Sequence, residues 1–101
     1  MNFRDELTEA QDRSNGELVA LGDRVATLTK YNNTTESYLK IAEFLGEKDY
    51  VKELDEMRKE RDRVGHNANT DRQYAIYKKL MAKGRKVYGK TTWDKYVYSN
   101  T

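Results

Sequence analysis

The chain contains no proline and only 6 glycines among its 101 residues, and this composition constrains its fold most strongly. Proline breaks a helix because it has no backbone N–H and its ring clashes with the preceding turn, and glycine weakens a helix by about 1 kcal/mol relative to alanine. Long stretches of this chain therefore have nothing to interrupt a helix. The sequence predicts an all-α fold, a bundle of about four helices with short loops and a basic, aromatic C-terminal tail.

The first predicted helix carries apolar residues at intervals of three and four, which places them on one face. This face comprises Phe3, Leu7, Ala10, Ser14, Leu18, Leu21, Val25 and Leu28. Its second half, from Leu18 to Leu28, can line either the core of the bundle or an interface between two copies. Leu18, Leu21, Val25 and Leu28 are therefore the candidate oligomer interface.

Two later helices are predicted to begin with a capping box, in which the capping side chain and the residue three positions later satisfy each other's free backbone N–H groups. The pairs are Asn33 with Glu36, and Thr70 with Gln73. Between them, the spacing predicts a helix from about Lys48 to Val64. The apolar face predicted for the last long helix comprises Tyr74, Tyr77, Leu80, Met81, Gly84 and Val87.

Residues 90–101 read KTTWDKYVYSNT and follow Gly89. Their alternation of aromatic and polar side chains is compatible with a short strand, a last turn of helix or an arm laid on another subunit. The predicted organisation is therefore a helical bundle over residues 1–89 and a C-terminal tail or arm over residues 90–101.

Charge is unevenly distributed along the chain. Residues 1–71 carry 11 basic and 16 acidic side chains, whereas residues 72–101 carry 8 basic side chains against Asp94 alone. This polarity indicates either an anionic partner such as RNA or contact between copies of the chain. Basic side chains contact phosphates and aromatic rings stack on bases, although the same mixture also suits a protein interface. The candidate binding residues are Lys78, Lys79, Lys83, Arg85, Lys86, Lys90, Trp93, Lys95, Tyr96 and Tyr98.

An arginine occupies an inward-facing position near the end of the third predicted helix. Tyr50, Leu54 and Met57 define the inward face, and the same spacing continues to Arg61. A buried guanidinium is costly without partners, so we expect a buried acid, a side chain that reaches out to water, or a functional pocket. The only histidine of the chain, His66, follows in the next loop.

The segment Arg61-Asp62-Arg63-Val64-Gly65-His66 resembles the motif of the HEPN superfamily, the higher-eukaryote and prokaryote nucleotide-binding domains. Its members are small helical bundles, and many are metal-independent ribonucleases that pair two copies to build one site. The resemblance implies that Arg61 neutralises the scissile phosphate, that His66 acts as acid or base, and that Asp62 is their polar neighbour. An RNA 2′-hydroxyl can attack its own phosphate when such a base and a fixed cation are supplied.

The first function predicted is that of a small cytosolic, non-enzymatic accessory protein. It would bind protein or nucleic acid as an oligomer, a dimer first, through its basic aromatic C-terminal third. The alternative is a HEPN-like ribonuclease acting as a dimer. No cofactor is expected, and a single histidine without cysteine provides no zinc site. The lack of cysteine is typical of a reducing cytosol, and no run approaches the roughly 20 apolar residues that span a membrane.

Overall fold

A computed structural model describes the backbone of residues 3–101 and the side chains from residue 15 onward. It contains α1 (Phe3–Lys30), α2 (Thr34–Phe44), α3 (Lys48–Val64), α4 (Thr70–Tyr88), α5 (Lys90–Tyr96) and a 3-10 turn (Tyr98–Asn100). The described part of the chain has no strand, and the all-α prediction is confirmed. Five helices replace the predicted four because the segment after Gly89 is itself helical.

Every connection between helices contains a residue with positive φ, a conformation that favours glycine and asparagine over other residues. The φ angles are 58° at Asn32, 71° at Gly46 and 88° at Gly89, and the α3–α4 turn has 127° at Gly65 and 54° at Asn69. These residues explain why helices of such length end where they do. The predicted bounds of the third helix, Lys48 to Val64, agree with those of α3.

Neither predicted capping box forms. Asn33 occupies the capping position of α2, but its side chain makes no capping hydrogen bond, and Glu36 pairs with an arginine of α3 instead. At α4 the capping position is held by Asn69 rather than by Thr70. Gln73 donates from Nε2 to Oδ1 of Asn69 at 2.6 Å. Contacts between helices therefore take precedence over the local capping pattern.

The apolar face of α1 lies in the chain's own core. Leu18, Leu21 and Val25 are buried, and Leu28 is half-buried. The structure therefore places the candidate oligomer interface inside the single chain, which is the other role that the sequence allowed for these residues. The predicted members of this face at positions 3, 7, 10 and 14 lie outside the described side chains.

The face that α4 turns inward differs from the predicted one. Tyr74 and Val87 are 53% and 51% exposed, whereas Gln73 and Ile76 are buried. The prediction assigned Gln73 to a capping box with Thr70 and left it out of the inward face, so the predicted face was centred too close to Tyr74. Helix α2 lies between the others and packs against α1, α3 and α4, while α3 packs only lightly against α4.

The last twelve residues fold back onto the body of the protein through Trp93, which is fully buried. Its indole lies directly over Gly84 of α4, and its indole N–H donates to the sulfur of Met81 at 3.3 Å. The ring also stacks on Tyr88, with 5.8 Å between centroids. Trp93 was predicted as a binding residue, and the structure corrects this assignment because no part of the side chain reaches the surface.

We predict that Gly84→Ala lowers the free energy of unfolding by about 1–3 kcal/mol, because the added Cβ would overlap the indole of Trp93. Urea denaturation followed by circular dichroism measures the change. Gly16→Ala is the matched control, since its Cβ meets nothing within 4 Å among the described residues, and it should stabilise α1 by about 0.5–1 kcal/mol. Equal stability of the Gly84→Ala and native proteins would contradict the packing of α5.

Candidate functional site

Arg61, the inward-facing arginine of α3, is half-buried and reaches the turn that follows its own helix. Its Nη1 donates to the carbonyl oxygen of Ala68 at 3.2 Å and lies 3.5 Å from Oγ1 of Thr70. A backbone carbonyl and a hydroxyl therefore satisfy part of the guanidinium, which has further N–H donors available. Through these contacts the arginine stabilises the turn that contains His66.

Three side chains of the segment from Arg61 to His66 lie around one open hollow at the end of α3. Arg61, Asp62 and His66 line it together with Arg58 and residues 31–35, which form the α1–α2 turn and the first two residues of α2. Its volume is about 290 Å³. We call it the Arg61–His66 hollow. The structure therefore brings together all three residues that the resemblance singled out, and Asp62 and His66 are exposed to solvent.

The two arginines of this hollow differ in how they are compensated. Arg58 donates to Glu36 at 2.5 Å and also pairs with Asp55. The hydrogen bond to Glu36 is the main cause that raises the pKa of Arg58, and it leaves little of this charge for a ligand. Among the described residues, Arg61 pairs with no carboxylate. The adjacent N-terminus of α2 adds the partial positive charge of a helix start.

A chain of side-chain hydrogen bonds fixes the helix ends beneath the hollow. Thr35 donates to Oε1 of Gln73 at 2.8 Å, and Gln73 is almost completely buried. Asn69, which accepts from Gln73, donates to the carbonyl of Met57 at 3.1 Å and to Glu60 at 2.8 Å. These bonds join α2, α3 and α4, and the sequence pattern does not predict them. One feature of the sequence could have indicated this network. Gln73 lies one turn before Tyr77, on the side of α4 that is otherwise apolar and faces inward.

Arg61 also lines a second hollow of about 250 Å³, on the side of Tyr38 and Tyr74. The ring of Tyr38 stacks on that of Tyr77 at 4.8 Å. Burial is the main cause that raises the pKa of Tyr38 to about 12, the neighbouring phenols of Tyr77 and Tyr74 act in the same direction, and Arg61 opposes them. Arg61 therefore lies between the Arg61–His66 hollow and a group of tyrosines on α2 and α4.

Two of the predicted binding residues are engaged within the chain. Lys83 donates to the carbonyl of Leu45 at 3.1 Å and to Glu47 at 2.5 Å. Arg85 donates to Asp94 at 2.8 Å, and this bond is the main cause that raises the pKa of Arg85. Both cations therefore help to hold helices together.

The other predicted lysines point outward. Lys78 lies over the ring of Tyr74 at 5.1 Å, and Lys95 lies over Tyr96 at 5.3 Å. Tyr98 is 47% exposed and carries the guanidinium of Arg85 over its ring. The exposed lysines of α4 and α5 are Lys78, Lys79, Lys86, Lys90 and Lys95.

Among the side chains that the structure describes, no three histidine, cysteine, aspartate or glutamate residues come close enough to hold a metal ion. None of the helices, over the residues described, has an apolar stretch of the length needed to cross a membrane.

Comparison with protein-family models, with curated proteins and with solved structures finds no match for this chain.

We predict that Tyr38→Phe reduces the loss of stability in alkali. Because the folded pKa of Tyr38 is about 12 and the ordinary value is 10.0, the fold favours the neutral phenol. This contribution is complete below pH 10 and is lost as the pH rises from 10 through 12. The free energy of unfolding, measured in urea between pH 9 and pH 11.5, should therefore fall less for Tyr38→Phe than for the native protein. Parallel curves would contradict the burial of the phenol.

Proposed function

We propose that this protein is non-enzymatic and binds single-stranded nucleic acid, RNA in the first place, through the exposed lysines of α4 and α5. The observation that carries the proposal is that none of these five lysines forms an ion pair within the described part of the chain. The one acidic residue after position 71, Asp94, is already paired with Arg85. The positive charge of this segment therefore remains available to a partner.

Uncompensated lysines on one stretch of surface favour a polyanion, because neutralising phosphates releases counterions to the solvent. Exposed aromatic rings lie on the same helices and the segment that follows them: Tyr74 lies next to the unpaired Lys78, and Tyr98 lies next to Arg85, which is paired with Asp94. An unpaired base can stack on such a ring, whereas the bases of a duplex are already stacked on each other. This combination supports a single strand over a double helix.

We predict that replacing Lys78, Lys90 and Lys95 with alanine weakens binding of a labelled single-stranded RNA by about tenfold or more at low salt. Fluorescence anisotropy over a series of salt concentrations measures the affinity. The slope of log K against log salt should become shallower by roughly 2, because each phosphate contact to a single strand contributes about 0.7.

The matched control replaces three exposed lysines of α3, Lys48, Lys52 and Lys59, with alanine. It removes the same charge from the acidic part of the molecule and should leave both the affinity and the salt slope nearly unchanged. If the two triple variants lose affinity equally, binding depends on net charge alone and the proposed surface is wrong.

A second candidate function, a HEPN-like ribonuclease, is favoured by the position of Arg61, Asp62 and His66 around one hollow. In this role His66 would remove the proton from an RNA 2′-hydroxyl, and Arg61 would bind the phosphate it attacks. The new bond joins the 2′-oxygen to phosphorus, and the bond from phosphorus to the 5′-oxygen breaks. The leaving oxygen needs a proton, which the His66 of a second copy would supply.

We predict for this candidate that purified protein in excess EDTA cuts end-labelled RNA and leaves 2′,3′-cyclic phosphate ends. Arg61→Ala and His66→Ala should each abolish the cuts while circular dichroism remains unchanged. Arg63→Ala is the matched control, because Arg63 lies on the same turn of α3 but does not line the hollow. Retention of RNA without any cuts would exclude the ribonuclease and leave the binding function.

A further inference from the structure

An open groove of about 460 Å³ runs between α3 and α4. Its floor is formed by Met57, Ala75 and Ile76, and the two helices pack only lightly against each other along it. Met57 and Ile76 are already buried within the chain, so the indication of a partner comes from the charges beside the groove.

Opposite charges stand on the two sides of the groove. On the α3 side, Glu53 and Glu56 line it and form no ion pair among the described residues. On the α4 side, the lining residue Arg72 is paired with Glu60, and Lys79 follows Ala75 by one turn on the same face of the helix. Lys79 points toward α3, with its Nζ 6.0 Å from the ring centroid of Tyr50, and it is unpaired within the described part. One face of the protein therefore presents a negative and a positive strip side by side.

Two ion pairs across the groove define which residues stand level with each other. Glu60 of α3 pairs with Arg72 of α4 at 3.0 Å, and Glu47, just before α3, pairs with Lys83 at 2.5 Å. Because α3 and α4 run antiparallel, positions between these pairs face each other in reverse order. Counted from the two pairs, Glu53 is level with residues 77–79 of α4, and among these Lys79 is the one whose side chain points toward α3.

We propose that this groove is the interface with a second copy of the chain, related to the first by a two-fold axis running along the groove. Such a rotation exchanges the sides of the groove but keeps each residue at its own height. It places α3 of one copy opposite α4 of the other, and Glu53 of each copy opposite Lys79 of its partner. The contact between Glu53 and Lys79 is then attractive, and the symmetry makes it occur twice.

The other two-fold arrangement, with the axis across the groove, would place α3 on α3 and α4 on α4. Glutamates would then face glutamates and lysines would face lysines, which is unfavourable. The pattern of charge thus selects one orientation of a copy. The interface takes up one of the five exposed lysines, Lys79, and it leaves Lys78, Lys90 and Lys95 outside the groove. A dimer would present two such basic surfaces.

The test reverses one charge at a time in the full chain, after nuclease treatment, and measures the dimer dissociation constant by sedimentation equilibrium. Glu53→Lys and Lys79→Glu should each weaken the dimer by roughly tenfold or more, because the symmetry turns two attractions into two repulsions. An equimolar mixture of the two variants should regain native affinity, since every contact between them is again attractive. Lys78→Glu, the adjacent residue outside the groove, should have little effect.

Circular dichroism and thermal unfolding of each variant check that the native fold is retained. We expect it to be, because all three substituted side chains are exposed. A native protein that stays monomeric up to millimolar concentration would overturn the proposal. So would a dimer that neither single variant weakens, or a mixture that remains as weak as its two components.

Discussion

The contact between Trp93 and Gly84 determines where the C-terminal third of this protein lies. The indole occupies the space that a side chain at position 84 would fill, so α5 can approach α4 only because that residue is glycine. Backbone atoms of Tyr96 lie equally close to Gly22 of α1, which ties the end of the chain to its first helix. The lysines of α4 and α5 are therefore displayed on a fixed surface, and a ligand does not have to order a flexible arm before it binds.

Much of the helical architecture follows from local chemistry and could be predicted. Helix α3 begins and ends as its sequence indicates, because a charged, proline-free stretch runs without interruption to Gly65, whose positive φ ends it. The inward face of α4 could not be predicted as well. Gln73 is polar, yet it is buried because Thr35 and Asn69 satisfy its amide, and those partners come from other parts of the chain. Hydrophobic periodicity carries no information about such partners.

The same distinction applies to the candidate sites. The spacing along α3 predicts that Arg61 faces inward and needs a partner, but the partner is the carbonyl of Ala68, which only the folded turn places there. Along α4 the sequence identifies a basic segment but does not show which of its cations form ion pairs within the chain. Lys83 and Arg85 are taken up by acids of neighbouring elements, whereas Lys78 remains free because no acid in the described residues lies close enough to pair with it.

The proposed function requires nucleic acid to contact the outward side of α4 and α5. Nuclear magnetic resonance of isotopically labelled protein, titrated with a short single-stranded RNA carrying 2′-O-methyl groups so that it cannot be cleaved, tests this directly. We expect the amide resonances of Lys78 and of α5 to shift progressively, with those of the acidic α3 unchanged. Shifts confined to α2 and α3, or no shifts at all at low salt, would contradict the claim.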